Sequence, residues 1–172
     1  MSEAQSNKAD YTLASERAAS LLARHGARKP PVKVHEMAAT LGLNIQEGRF
    51  ESPYDRDIQG YLDWAKKTIV LNADDGYTRK RFTIAHELGH VMLHQKELEA
   101  NPDLGIMYRQ ALGMSDPDPK EREANHFAAC LLMPASMVLR FKDVPSTRTI
   151  AGMFIVSEQA MKFRLESLEK EY

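Results

Sequence analysis

The segment His86-Glu87-Leu88-Gly89-His90 sets two imidazoles four residues apart, with a carboxylate beside the first. On an α-helix four residues advance ~400° and rise ~6 Å, so both rings lie on one face a single turn apart. Two rings so placed can share one tetrahedral zinc ion, while Glu87 lies next to that face, positioned for water rather than for the metal. Zinc lowers the pKa of its water towards ~7, and a carboxylate can take that proton as the water attacks a peptide carbonyl. The pattern therefore points to hydrolysis with His86 and His90 as ligands and Glu87 as general base.

Zinc in such a site needs a third protein ligand. His94 lies eight residues after His86, ~12 Å along a helix axis, too far for the two rings to share one ion. It reads instead as a helix-end histidine favoured by the macrodipole. A second run, Glu121-Arg122-Glu123-Ala124-Asn125, offers carboxylates on a separate helix. Glu121 and Asn125 share a face, so one can bind the ion while the other hydrogen-bonds a ligand imidazole and fixes its tautomer. Glu123 is the alternative ligand, pointing ~200° away from Glu121. The competing reading of these acids is a solvated first turn at a helix N-terminus. Tyr108, between the two helices, is a candidate oxyanion stabiliser.

The elements that must position these groups follow from periodicity and punctuation. Apolar residues recur at helical spacing over residues 11–25, with Gly26 as the stop, and again over 32–41, closed by Gly42. Residues 43–45 read as a strand and 47–57 as a loop. Residues 58–64 and 68–72 form a hairpin joined by Ala65-Lys66-Lys67. A long helix spans residues 77–94, a loop 101–120, a helix 121–133 stopped by Pro134, and a helical hairpin 147–169 with a break near Val156-Ser157. The expected fold is α+β, with one small antiparallel three-stranded sheet and a C-terminal helix-turn-helix-like hairpin.

Composition bounds the function class. Hydrophobic residues make up 43%, charged residues 27%, and the net charge is -1, the balance of an ordinary soluble domain rather than a nucleic-acid binder or a disordered chain. No stretch approaches the ~20 apolar residues of a membrane span and the start is polar, so a cytoplasmic protein without a membrane partner is expected. Residues 1–10 are expected to be disordered and residues 11–172 to form one domain. The single cysteine, Cys130, lies in an apolar run and reads as a small core residue.

Three stretches carry a resemblance to the ImmA/IrrE family of metallo-endopeptidases. They are Phe82-Thr83-Ile84-Ala85-His86-Glu87-Leu88-Gly89-His90 with Leu93-His94, then Glu121-Arg122-Glu123-Ala124-Asn125-His126-Phe127-Ala128-Ala129 leading to Leu131-Leu132-Met133-Pro134, and Phe154-Ile155-Val156-Ser157-Glu158-Gln159-Ala160-Met161 with Arg164-Leu165 and Leu168. The resemblance implies a zincin-like helical domain with Zn²⁺ held by His86, His90 and Glu121, and Glu87 as the catalytic glutamate. It also implies cleavage of a helix-turn-helix repressor of the Xre type, which derepresses prophage, mobile-element or stress genes. The chain departs from the family at Ile155, where relatives often carry Gly or Asn.

Two other readings compete. The hairpin at 147–169 has the cadence of a DNA-binding motif, with Ser157 as N-cap of its second helix. That helix offsets Lys162, Arg164 and Lys170 with four glutamates, so direct DNA binding is not expected. A partner-binding regulator or toxin-antitoxin component with little proteolysis is the remaining alternative. For a peptidase, the 58–64 strand, if it lies at the sheet edge, can accept a substrate by strand addition.

Overall fold

The computed structural model describes residues 8–50, 58–108 and 118–171. Helix α1 (Tyr11–Arg24) opens where the Asp10 carboxylate accepts the Leu13 N–H, and the chain turns after it at Gly26 with φ of +59°. Helix α2 (Val34–Thr40) ends before Gly42, whose φ of +73° redirects the chain into β1 (Asn44–Gly48). A left-handed residue at each of these exits is what glycine supplies without steric cost.

Strands β2 (Gly60–Asp63) and β3 (Thr68–Asn72) form the antiparallel hairpin, turned through Lys67 at φ 50°. The sheet is not wholly antiparallel. Its order is β1-β3-β2, and β1 runs parallel to β3, from Asn44 opposite Thr68 to Gly48 opposite Asn72. β1 ends and β2 begins at the same end of the sheet with β3 between them. The long connection at 49–59 thus frees β1 from hairpin pairing and lets it take the open edge of β3.

The helical half carries the site. Helix α3 (Tyr77–Ala100) continues six residues beyond the 94 expected, across a break at His94 where φ is -121° and ψ 22°. The stretch expected as loop contains α4 (Leu104–Tyr108). Helix α5 (Pro119–Leu132) starts two residues early because Pro119 fits the first turn and the Asp118 carboxylate accepts the Lys120 N–H. After α6 (Ala135–Val138) the chain makes the hairpin of α7 (Thr147–Phe154) and α8 (Glu158–Glu171). Ser146 and Ser157 cap these two helices by accepting the N–H groups of Thr149 and Ala160.

Helices α1, α3 and α5 pack on one another around Leu21, Leu88, Phe127 and Leu131, and Leu62, Ile69 and Leu71 bring the sheet onto the same core. Cys130 is buried, yet its thiol lies 3.5 Å from His126 Nε2 and 3.6 Å from Ser15 Oγ, so its surroundings are less apolar than its sequence neighbours imply. Two buried arginines lock the C-terminal hairpin. Arg81 on α3 donates to the carbonyls of Val32, Phe154 and Ile155, and Arg164 on α8 donates to Met133 O at the end of α5. Phe154, Ile155 and Met133 lie at helix C-terminal ends, where carbonyls have no intrahelical donor.

The α7–α8 turn is the one strained joint of this hairpin. Ile155 sits at φ 52° and ψ 57°, a left-handed conformation that crowds a β-branched side chain by ~1–2 kcal/mol. The side chain is only half-buried. Asn tolerates this conformation without glycine's added chain entropy. Ile155→Asn is expected to raise the thermal midpoint by about 2–4 °C, the shift that ~1 kcal/mol produces in a domain of this size. A midpoint that falls would show that the Ile155 side chain packs more than it strains.

Candidate metal centre

The site is built where α5 crosses α3, and small residues set how close that crossing is. A Cβ placed on Gly89 would stand 3.0 Å from the Ala124 Cα and 3.2 Å from a Phe127 ring carbon. Glycine at this point lets α5 approach until a side chain from its first turns reaches the two rings on α3. His86 and His90 lie one turn apart, their Nε2 atoms 3.1 Å from each other. Glu121 presents Oε2 at 3.2 Å from His86 Nε2 and Oε1 at 3.0 Å from His90 Nε2.

These three residues are the cluster of potential metal ligands among the described residues, with ligand atoms within 4.8 Å of one another and all three side chains buried. Ligand atoms ~2.0–2.1 Å from a tetrahedral zinc ion stand roughly 3.3 Å apart, close to the separations found here. Both Glu121 oxygens are buried, and the groups that face them are the two imidazoles. A buried carboxylate beside two neutral imidazoles keeps an uncompensated charge, and a cation between it and the two rings removes that penalty. The donor set therefore fits a divalent transition metal.

Electrostatics agree with this geometry. Burial works to raise the Glu121 pKa, but the two adjacent imidazoles outweigh it and bring the carboxyl down to about 2. Burial lowers His90 to about 4, beyond what Glu121 restores, so this ring stays neutral with a lone pair to offer. His86 is shifted up despite burial, by its bond to Glu121 and the charges of Glu87 and Glu121. Burial pushes Glu87 up to about 7, partly offset by His86 and reinforced by Glu121. A carboxylate poised near neutrality can hold or release a proton at working pH.

Behind the rings, Asn125 Oδ1 lies 2.9 Å from His86 Nδ1, the relation that fixes a ligand's tautomer. Glu123, the alternative carboxylate, does not reach the cluster. Its Oε2 lies 2.8 Å from His94 Nε2, and its Oε1 accepts the Asp10 N–H at 2.7 Å. His94 is not a solvated helix-end histidine. It is buried at the break in α3, with Nδ1 3.3 Å from His90 Nδ1. The sequence holds one signal for this role, since His94 follows His90 by a helical turn. Tyr108 closes α4, and its side chain lies outside the described residues.

Residues 38–166 match the peptidase family described as the IrrE N-terminal-like domain. The chain is 27% identical over 143 residues to the uncharacterized immunity region protein 2 of Bacillus phage phi105, covering 82% of this chain and 81% of that protein. Its fold is similar to a transcriptional regulator from Mycobacterium tuberculosis, with a TM-score of 0.59 at 15% identity. That match covers 91% of this chain, which spans about half, 47%, of the regulator's length.

The raised Glu87 pKa has a consequence for stability. The fold holds the Glu87 proton more tightly than the unfolded chain does, so this stabilisation is complete below pH ~4.5 and lost as pH rises through about 7. Glu87→Gln cannot ionise and loses nothing. In chelator-treated protein the variant's stability relative to wild type is expected to rise between pH 5 and pH 8 by on the order of 2–3 kcal/mol. Thermal unfolding at both pH values measures this, and an equal difference at the two would show that Glu87 is not held protonated by burial.

Proposed function

We propose, from the premise that this chain belongs to the IrrE N-terminal-like family of peptidases, that it is a zinc-dependent metallo-endopeptidase acting on a helix-turn-helix repressor of the Xre type. The observation that carries the reading is the buried Glu121 carboxylate, whose two oxygens face the Nε2 atoms of His86 and His90 at 3.2 and 3.0 Å. Zinc there supplies Lewis acidity towards water and the scissile carbonyl. Glu87 accepts the proton of the attacking water and returns it to the leaving amine. His86 and His90 contribute neutral lone pairs, and Asn125 holds the His86 ring from behind.

The surroundings suit a peptide. A cavity of about 650 Å³ lies between α3 and α8, lined by Phe82, Met133, Val156 and Phe163, with Arg79 at its polar side. One of its lining residues, Phe82, also neighbours the centre, its ring 6.4 Å from that of His86. An apolar substrate side chain fits such a lining. β2 is an edge strand, and its register with β3 turns the peptide groups of Gly60 and Leu62 away from the sheet. That edge is not wholly open, since Gly105 of α4 closes onto the Leu62 carbonyl. A substrate strand pairing at Leu62 has to displace α4.

Support for a repressor as substrate comes from the family and from the phage immunity-region relative. Direct action on DNA fits less well, because Arg164, one of three cations of α8, is buried and committed to Met133 O. A phosphate-binding helix needs its cations exposed. Among the described residues no helix is long and apolar enough to cross a membrane.

Two outcomes are expected. Wild type should bind about one zinc per chain, and His86→Ala, His90→Ala or Glu121→Ala should each abolish tight binding in metal analysis after dialysis. Retention of zinc by all three variants would remove the centre. Glu87→Gln should keep the metal yet cut a neighbouring Xre-type repressor at least ~10²-fold more slowly, followed by mass spectrometry of fragments with a chelator control. Equal derepression by both proteins with no fragments would leave a partner-binding regulator instead of a peptidase.

A further inference from the structure

His90 is held on two sides. Its Nε2 faces Glu121 and His86, and its Nδ1 faces the Nδ1 of His94 at 3.3 Å. From there the path runs through the His94 ring to Nε2, 2.8 Å from Glu123 Oε2, and ends where Glu123 Oε1 accepts the backbone N–H of Asp10 at 2.7 Å. We propose that His94 and Glu123 are positioning residues for His90, a relay anchored by the amide at the start of α1. The inference rests on the metal reading of the site and extends it to groups that no ligand-spacing rule selects.

The direction of each bond follows from the one group with no choice. A backbone amide can only donate, so Glu123 is an acceptor at Oε1, and as a carboxylate it accepts at Oε2 as well. His94 then carries its proton on Nε2 and presents the Nδ1 lone pair. His90 in turn keeps its proton on Nδ1, which leaves Nε2 free to ligate. A bond chain of this sense also makes His90 a stronger donor to the metal.

The backbone is shaped for this arrangement. The only residue inside α3 with non-helical φ/ψ is His94, and its ring meets that of His90 at 45° with centroids 5.4 Å apart. His94 is 6% exposed, which shields the inner step from bulk water, while Glu123 is half-buried and the Asp10 end of the relay meets solvent. Helix α5 serves both ligand rings, since Asn125 supports His86 directly and Glu123 supports His90 through His94. Residues two apart on α5 point to different sides, so the helix can reach both rings. Because the last acceptor is fixed by Asp10, with Ala9 buried beside it, the seating of the α1 start is tied to the orientation of a ligand.

The test uses the full chain loaded with zinc and, separately, with cobalt(II). Glu123→Ala and His94→Leu are expected to weaken zinc by ~10–100-fold, measured by chelator competition, with all three ligands still in place. His94→Asn, whose amide oxygen can stand near the lost Nδ1, should recover much of that loss. Proton spectra of the cobalt form in water should show two strongly shifted, exchangeable imidazole N–H resonances, from His86 and His90. His94→Leu should remove one by opening it to rapid exchange, and Asn125→Ala should remove the other. A merely structural role for His94 would lower the melting temperature without singling out one resonance. Normal zinc affinity and both resonances in Glu123→Ala and His94→Leu overturn the relay while the centre stands. Failure of wild type to bind either metal overturns the centre, and the relay with it.

Discussion

The crossing of α3 and α5 brings a buried carboxylate against two imidazoles, and the rest of the molecule is arranged to tolerate it. Glu121 is 2% exposed and its oxygens face two imidazoles. An isolated charge in that position costs several kcal/mol, more than a typical core side chain returns. The two rings offset part of this cost, and a cation that they and Glu121 share would offset the rest. Gly89 and Ala124 permit this contact, since any larger side chain at either would hold the helices apart.

This requirement explains the unusual character of α3. A helix in a domain core normally turns an apolar stripe inward and a polar one outward. Here Arg81, Thr83, His86, Glu87, His90 and His94 are all buried alongside Ile84, Leu88 and Val91. The polar side of α3 faces inward because α1, α5 and the hairpin cover it. Arg81 is satisfied by the carbonyls of Val32, Phe154 and Ile155, and the histidines by Asn125, Glu121 and Glu123. Stability is given up along this face, most plainly at Glu87, whose buried carboxyl titrates near neutrality. Such losses are common where a fold holds a reactive group in place.

Much of this was legible in the sequence for local reasons. Glycines at 26 and 42, the serine at 157, and the apolar spacing of α1, α3 and α5 each act within a few residues, so their effects can be read from the chain alone. The four-residue spacing of His86 and His90 and of Glu121 and Asn125 is local in the same sense. What escaped was set by distant partners. β1 takes its parallel place because β3 has an open edge, α4 forms against β2 within a stretch rich in glycine and proline, and α3 runs on past His94. Local spacing offers Glu123 only as a rival ligand or a solvated first-turn acid, because its partners, His94 and Asp10, lie 29 and 113 residues away.

The same distinction separates fold from chemistry. Similarity at 15% identity to a longer regulator speaks to how helices and sheet are stacked, and many sites can be grafted on one stack. The site's chemistry resides instead in atoms that the stack brings within about 3 Å: two Nε2 atoms, two carboxylate oxygens and the acceptors behind the rings. Positions along α5 show how sequence and stack divide the work. Glu121 and Asn125 meet α3 on one side and Glu123 on another, so a single helix supplies a charged group to the centre and an acceptor towards each ring. A helix turned by half a rotation about its axis would keep the apolar contacts of neither Phe127 nor Leu131 and would withdraw all three polar groups together. The apolar core therefore fixes the rotation of α5, and that rotation fixes the centre.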